Sequence, residues 1–152
     1  MPVFSGEYEC KLDAKGRLVL PFKIKAALPP EAGKTIVLTR GFEPCIILYS
    51  LVYWKELSER VIALNEFVEE YRTFQRNFFR GHTEVELDTA GRFLIPRTML
   101  KYAGIEKDAI VVGAGNRVEI WQPSAYEASL VQDSKLFSQM AERVFSREGK
   151  LQ

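Results

Sequence analysis

Residues 9–21 read ECKLDAKGRLVLP and residues 84–96 read EVELDTAGRFLIP, and a shift of 75 positions superimposes the two segments. Six of the thirteen aligned positions are identical: Glu, Leu, Asp, Gly, Arg and Pro. The apolar runs that follow also correspond, 36–38 with 110–112 and 46–49 with 118–121. Two copies are too few for a solenoid, which stacks three or more shorter units. The sequence therefore predicts an internal duplication, a single chain that imitates a homodimer.

Each copy predicts the same order of elements: strand, turn, strand, short helix, strand, turn, strand and helix. Apolar and polar residues alternate over 7–12, which is the period of a half-buried strand. An Asp at the start of the following turn can bond its own backbone, and a Gly accepts positive φ. A Pro after the second strand interrupts the ladder and opens a helix. These structural roles are predicted for Asp13, Gly16 and Pro21, and for Asp88, Gly91 and Pro96. Arg92 is predicted to have a structural role as well, tying its turn to a carboxylate.

Helical periodicity appears between the copies and after the second copy. Ser50 is predicted to cap a first helix, and a second helix is expected over 65–80, ending at Gly81. Residues 124–127 fit a capping box, and the last helix is expected to fray into the charged tail. The inner apolar stripes are predicted to contain Trp54, Leu57, Val61 and Leu64; Phe67, Tyr71, Phe74 and Phe78; and Leu136, Met140 and Val144.

The expected fold class is α+β, with two β-rich repeats joined by a helical hairpin. The predicted boundaries are 1–52 for the first repeat, 53–81 for the hairpin, 82–125 for the second repeat and 126–152 for the C-terminal helix and tail. With 152 residues, 47% hydrophobic and 27% charged, the composition is that of an ordinary globular protein. We expect these four segments to form one compact unit.

The composition also favours a soluble intracellular protein. No apolar stretch is long enough to cross a bilayer, and the first residues lack the basic and apolar regions of a signal peptide. Cys10 and Cys45 form no CxxC pair, so free thiols are expected. No pattern of metal ligands or of cofactor binding is present, and the sequence predicts no metal and no cofactor.

Catalytic patterns are weak. The one histidine, His82, has no G-x-S-x-G segment to serve. Asp13 and Asp88 could form a paired carboxylate, but an Arg follows each turn glycine and would keep its Asp ionised. Residues 33–35 resemble the end of a phosphate loop, yet Leu28 occupies the position of the first glycine. The sequence therefore predicts a protein that is not an enzyme.

Charge distinguishes the two copies. The chain carries a net charge of only +1, but residues 11–25 hold five basic residues and one acidic residue, a net +4. Duplicated halves need the same packing but not the same charge, so this difference reports on what each half faces. The basic residues Lys11, Lys15, Lys23 and Lys25 correspond to Glu86, Ala90, Thr98 and Leu100 in the second copy.

Arg72, Arg76 and Arg80 are spaced four residues apart in the second predicted helix. This spacing places them on one helix face, where pairing with Glu69 and Glu70 would make a solvated surface. The same stripe would also suit contact with another subunit or with phosphate. The sequence leaves both interpretations open.

The segments LDAKGRLVLP and LDTAGRFLIP, with RNFFRGHTEVELD between them, resemble the MraZ family of bacterial transcription regulators. Each repeat is similar to the AbrB-type swapped-hairpin β-barrel. The resemblance implies a cytoplasmic, nucleoid-associated regulator of a cell-division and cell-wall gene cluster. It implies binding to short G-rich direct repeats in double-stranded DNA, as a homo-oligomeric ring, with neither a membrane nor a small-molecule substrate as partner.

The resemblance also implies which residues contact DNA. Lys15 to Arg17 match the DNA-contacting loop, and Arg17 is expected to be its most important residue. An arginine presents a planar fork that suits guanine O6 and N7, and lysines that flank the Arg17 turn would hold phosphates. The lysines assigned to this role are Lys11, Lys15, Lys23 and Lys25.

A second hypothesis belongs to another class of function. The same kind of barrel could act as a protein-interaction module that never binds DNA. Direct repeats in DNA suit a cyclic oligomer, whereas a palindrome suits a two-fold dimer. A gel-shift experiment with a G-rich repeat separates the two hypotheses.

Overall fold

The structure, a computed structural model, describes residues 3–151 and confirms the predicted α+β class and the predicted order of elements. A 3₁₀ turn, Pro30–Ala32, is added before the third strand. The elements are β1 (Glu7–Lys11), β2 (Arg17–Val19), α1 (Phe22–Ala26), β3 (Thr35–Arg40), β4 (Ile46–Ser50), α2 (Leu51–Ile62), α3 (Glu69–Phe79), β5 (Thr83–Glu86), β6 (Arg92–Leu94), α4 (Arg97–Ala103), β7 (Asp108–Gly113), β8 (Val118–Trp121), α5 (Pro123–Ser129) and α6 (Ser134–Leu151).

The two repeats exchange strands. A six-stranded antiparallel sheet has the order β1-β7-β8-β4-β3-β5, and β2 and β6 form a separate two-stranded ribbon. The first strand of each repeat pairs with the other repeat, β1 with β7 and β5 with β3. The ribbon also joins the repeats, since β2 belongs to the first and β6 to the second. The duplication is therefore one interlocked structure, with no separable halves.

The larger of two buried apolar clusters lies between the ribbon and the sheet. Leu18 and Phe93 stand directly opposite each other at the centre of the ribbon, and their exposed fractions are 0% and 1%. They pack in the same apolar cluster as sheet residues such as Leu48 and Ile120. Each ribbon strand leads through a proline into a short helix that adds buried side chains to this core, Ile24 from α1 and Met99 and Ala103 from α4.

The helical hairpin begins as predicted but packs differently. Ser50 Oγ accepts a hydrogen bond from the Tyr53 N–H at 3.1 Å, which caps α2, and Trp54 is buried beneath it. The predicted inner stripe of the second helix is wrong, because α3 has no buried residue. Phe67 precedes α3 and is 86% exposed. The helix is held to the chain by Gln75, whose Nε2 donates to the Val61 carbonyl oxygen at 3.0 Å, and near its end by Phe78, which stacks on Trp54 with ring centroids 5.2 Å apart.

The C-terminal helices also differ from the prediction. Gln122, rather than Ser124, caps α5: its Oε1 accepts the Ala125 N–H at 2.7 Å. Pro123 occupies the first helical position, which proline favours, and so sets the helix start earlier. The last helix does not fray at the charged tail but continues to Leu151. The prediction that its apolar stripe faces inward is wrong, since Leu136 and Val144 are more than half exposed.

Two further expectations concern the cysteines and the membrane. Cys10 and Cys45 are free thiols, as predicted. Burial raises the pKa of Cys45 to about 12, so this thiol stays protonated at neutral pH. None of the helices in the described part of the chain combines the length and the apolar character that a membrane span requires.

The ribbon provides a test of the core. We expect Phe93→Ala to lower the free energy of unfolding by about 3–5 kcal/mol, because a large buried ring is replaced by a cavity. The matched control is Leu94→Ala on the same strand. Because the Leu94 side chain is 53% exposed, this substitution should lower the free energy of unfolding by only about 0.5 kcal/mol. Chemical denaturation measures both values. Equal losses would contradict the inward orientation of Phe93.

Candidate nucleic-acid interface

A single aspartate organises the turn between β1 and β2. Asp13 Oδ1 accepts the backbone N–H groups of Lys15 and Arg17, both at 2.9 Å. Asp13 Oδ2 accepts Arg17 Nε at 2.7 Å. Gly16 closes the turn with φ of +84°, a conformation that an L side chain rarely adopts. The turn therefore fixes both its backbone and the position of the Arg17 guanidinium.

The turn between β5 and β6 repeats this geometry. Asp88 Oδ1 accepts the N–H groups of Ala90 and Arg92 at 2.9 Å, and its Oδ2 accepts Arg92 Nε at 2.8 Å. In both turns the backbone N–H of the arginine is the main cause that lowers the pKa of the aspartate below its usual value, and the guanidinium lowers it further. The predicted turn roles of Asp13 and Asp88 thus have a visible physical basis.

Both arginines lie on the outward face of the ribbon. Side chains alternate along a strand, and Leu18 and Phe93 point into the core, so their neighbours point out. In the antiparallel register Arg17 stands opposite Leu94, and Val19 stands opposite Arg92. No hydrogen bond within residues 3–151 engages the terminal nitrogens Nη1 or Nη2 of either arginine. The ribbon therefore presents two held arginines whose outer ends are free.

The site predicted from the sequence does not include two apolar residues of this face, Val19 and Leu94. Val19 is 55% exposed and Leu94 is 53% exposed, although each lies beside a buried neighbour. Phe22, at the start of α1, is 82% exposed. The alternation of apolar residues along the short strands places Val19 and Leu94 on the face opposite Leu18 and Phe93. The sequence predicts that this face is exposed only once β2 and β6 are known to form a two-stranded ribbon with one open face.

The strand exchange separates the lysines of the first repeat. Lys15 is exposed in the first turn, as expected. Lys25 instead approaches the second turn: its Nζ lies 3.6 Å from the point where a Cβ on Gly91 would stand. The equivalent point at Gly16 is 3.7 Å from Leu100 Cδ1, and Leu100 is the residue that corresponds to Lys25. The expectation that all four lysines flank the Arg17 turn is therefore wrong for Lys25.

Lys11 and Lys23 also lie toward the Arg92 end of the ribbon. They line one shallow groove together with Val19 and Phe22, and Val19 is the partner of Arg92. Lys11 Nζ is 4.0 Å from an Asp108 carboxylate oxygen, but both side chains are well exposed and such pairs are weak. The second turn, which is neutral in sequence, is thus bordered by Lys25 of the first repeat, while Lys11 and Lys23 lie beside Val19.

The three arginines of the helical hairpin keep the spacing of one face of α3, but their side chains have different surroundings. Arg72 Nη1 donates to the Glu66 carbonyl oxygen at 3.1 Å. Arg76 is exposed on α3. Arg80 is the C-cap residue of α3: its N–H still donates to the Arg76 carbonyl oxygen at 3.1 Å, and the chain becomes extended only after it, with ψ of 135°. The predicted spacing of four residues along one helix face therefore holds, although Arg80 itself lies at the end of the helix.

Comparison with known families covers nearly all of the chain. The MraZ family model, described as "MraZ protein, putative antitoxin-like", matches residues 3–77 and again 78–148. The double match agrees with the duplication seen in the turns and in the exchanged strands. The chain also aligns along most of its length with curated bacterial proteins.

Three of these relatives carry the name "Transcriptional regulator MraZ". The protein of Cytophaga hutchinsonii is 58% identical over 94% of this chain and 95% of its own length. That of Christiangramia forsetii is 41% identical over 94% and 93%, and that of Acetivibrio thermocellus is 37% identical over 93% and 96%. With both repeats matched and relatives aligned end to end, the chain belongs to the MraZ family of transcriptional regulators.

Proposed function

We propose that this protein regulates transcription by sequence-specific binding to double-stranded DNA, and that the outward face of the β2–β6 ribbon contacts the bases. One observation carries the proposal: two arginines, each held by an aspartate in the same turn geometry, lie on one open face of an antiparallel ribbon. The names of the relatives support the same class of function. The target that we infer is a G-rich direct repeat.

A two-stranded ribbon fits the width of the DNA major groove. Arg17 and Arg92 use Nε to bind their aspartates, which leaves the two Nη groups for acceptors on a base edge. Guanine offers O6 and N7 there, and arginine is its most common partner. Because the aspartates fix both guanidinium groups before binding, less conformational entropy is lost on contact. This geometry supports a preference for guanine at two nearby positions.

The lysines supply phosphate contacts around this face. Lys15 lies in the first turn, Lys25 borders the second turn, and Lys11 and Lys23 line the groove beside Val19. A lysine ammonium is a point charge without a preferred base edge, so it contributes affinity and register rather than base selection. In this proposal both turns contact DNA, and the first repeat provides the lysines for both.

We further infer that the protein is a homo-oligomer, closed into a ring. The described residues of α6 are exposed apart from the half-buried Ala141, although the helix has an apolar stripe. The segment between α2 and α3 is also uncovered, since Phe67 is 86% exposed. Apolar surface on this scale marks a contact with another chain. A ring would place several ribbons along a direct repeat and raise affinity through effective concentration.

The setting that we infer comes from the resemblance to the MraZ family. The regulator would act in the cytoplasm, associated with the nucleoid, on a cell-division and cell-wall gene cluster. A gel-shift titration with a G-rich direct-repeat duplex and a scrambled duplex, at two salt concentrations, tests DNA binding directly. Tighter binding to the repeat, weakened by salt, is the expected result. Binding of neither duplex would favour the protein-interaction module instead.

Substitution of the two arginines tests the ribbon face. We expect Arg17→Ala and Arg92→Ala each to cost about 1–3 kcal/mol of binding to the cognate repeat and much less with scrambled DNA. Both should shift the unfolding midpoint by the same small amount, because the two salt bridges have the same geometry. Arg60→Ala, an exposed arginine on α2, is the control. Loss of specific binding in only one of the two variants would confine DNA contact to that turn.

The lysines are tested by salt dependence. We expect Lys15→Ala to lower the slope of log affinity against log salt concentration by about 1 for each subunit engaged, with cognate and scrambled DNA weakened alike. Lys25→Ala should do the same through the second turn. Lys55→Ala removes the same charge from α2 and should leave the slope unchanged. An unchanged slope for Lys15→Ala would show that Lys15 does not contact phosphate.

Light scattering tests the oligomer. We expect a mass several times the 17.4 kDa of the chain at micromolar concentration. Val144→Asp places a charge on the apolar stripe of α6 and should lower that mass, whereas Gln139→Asp on the same helix should not. A mass of one chain for the unmodified protein would contradict the ring.

A further inference from the structure

A partly open cleft of about 640 Å³ lies away from the ribbon and is bordered by both repeats and the helical hairpin. Its walls come from the β3–β4 turn, α2, α3, α4 and the β7–β8 turn. None of its lining residues belongs to the ribbon or to the two Asp–Arg turns. Its volume is typical of pockets that hold small organic ligands.

Arg40 lies in this cleft with an unused donor. Its Nε is buried and has no hydrogen-bond partner among the described residues. A buried N–H group without a partner is unfavourable, and it is rare in folded proteins. The Tyr102 ring holds the guanidinium in place, with Cζ 5.3 Å from the ring centroid, and the Tyr102 hydroxyl donates to the Gly41 carbonyl oxygen at 2.7 Å. The cation is thus positioned and lacks an acceptor.

Arg80 adds a second cation to the same cleft. It lines the same cleft, and a Cβ on the adjacent Gly81 would stand 3.7 Å from Arg40 Nε. Neither Arg40 nor Arg80 takes part in an ion pair within residues 3–151. The third arginine of the cleft, Arg117, is neutralised, because Glu119 binds its Nε at 3.0 Å and its Nη2 at 2.9 Å. The guanidinium groups of Arg40 and Arg80 then stand against the one carboxylate of Glu43, so the cleft carries a net charge of +1.

Aromatic side chains form the rest of the wall. Tyr49, Tyr53 and Phe78 line the cleft, and Tyr49 and Tyr53 pack together with ring centroids 5.6 Å apart. The Tyr53 hydroxyl accepts a hydrogen bond from Asn116 Nδ2 at 2.9 Å, which holds it against the β7–β8 turn. Such a surface favours a planar ring, while the guanidinium groups favour a carboxylate or a phosphate.

We propose that this cleft binds a small aromatic anion, of mononucleotide size or smaller, with its anionic group on Arg40 and Arg80 and its ring against Tyr49 and Tyr53. The ligand would be an effector of the protein, bound outside the surface proposed for DNA. Both anion types meet one requirement, an oxyanion that the guanidinium groups of Arg40 and Arg80 can bind together.

Isothermal titration calorimetry of the full-length protein tests the site with two probes, adenosine monophosphate for the phosphate and indole-3-acetate for the carboxylate. We expect saturable binding of one or both probes, with one site per chain. Adenosine and inorganic phosphate, which lack the charge and the ring respectively, should bind at least about 10-fold more weakly. No saturable binding of either probe would overturn the proposal.

Variants locate the bound anion. Arg40→Gln and Arg80→Gln should each lower the affinity for the probe that binds by about 10-fold or more. Arg80 is exposed and leaves the fold intact, so its variant remains decisive if Arg40→Gln lowers stability. Arg76→Gln, one turn earlier on α3 and outside the cleft, is the matched control and should bind normally. Undiminished binding by the Arg80 variant, or equal loss in the Arg76 variant, would overturn the proposal. None of these results depends on DNA binding.

Discussion

The pairing of Arg17–Val19 with Arg92–Leu94 is the constraint on which the rest of the structure depends. It joins two segments that lie 75 positions apart and sets Leu18 against Phe93 in the core. Because side chains alternate along a strand, this burial forces both arginines onto the same open face. A slip of one residue would move the arginines into the core and the large apolar side chains into water. Register and proposed function are thus fixed by the same contact.

Much of this arrangement could be predicted from the sequence, because its determinants are local. The Asp–x–x–Gly–Arg turns depend on hydrogen bonds across four residues, and the strands follow alternating patterns that are visible in one repeat. The duplication itself is a comparison of the sequence with itself. The neighbours of each turn could not be predicted in this way. Lys25 meets Gly91, and not Gly16, because the strands are exchanged between repeats, which is a property of the whole fold.

The helices show a second limit of sequence patterns. An amphipathic period reveals that one face is apolar, but it does not identify what covers that face. Phe67 and Val144 fit such a period and are exposed in the single chain, whereas Trp54 fits the same kind of period and is buried. The cleft could not be predicted from the sequence either, since Arg40, Arg80 and Tyr102 come from three separate elements. Each is an ordinary residue in its own segment and becomes notable only through its neighbours.

Duplication within one chain permits what an identical pair of chains cannot have. Two equal chains would place the same residue in both turns, but here Lys15 corresponds to Ala90 and Lys11 to Glu86 on nearly the same backbone. The ribbon face keeps its two-fold arrangement of arginines while the charges around it become unequal. A two-fold face binds a DNA segment equally well in both orientations. A face with unequal flanks prefers one orientation, and a direct repeat, whose units all point the same way, is the kind of site that such a preference can distinguish.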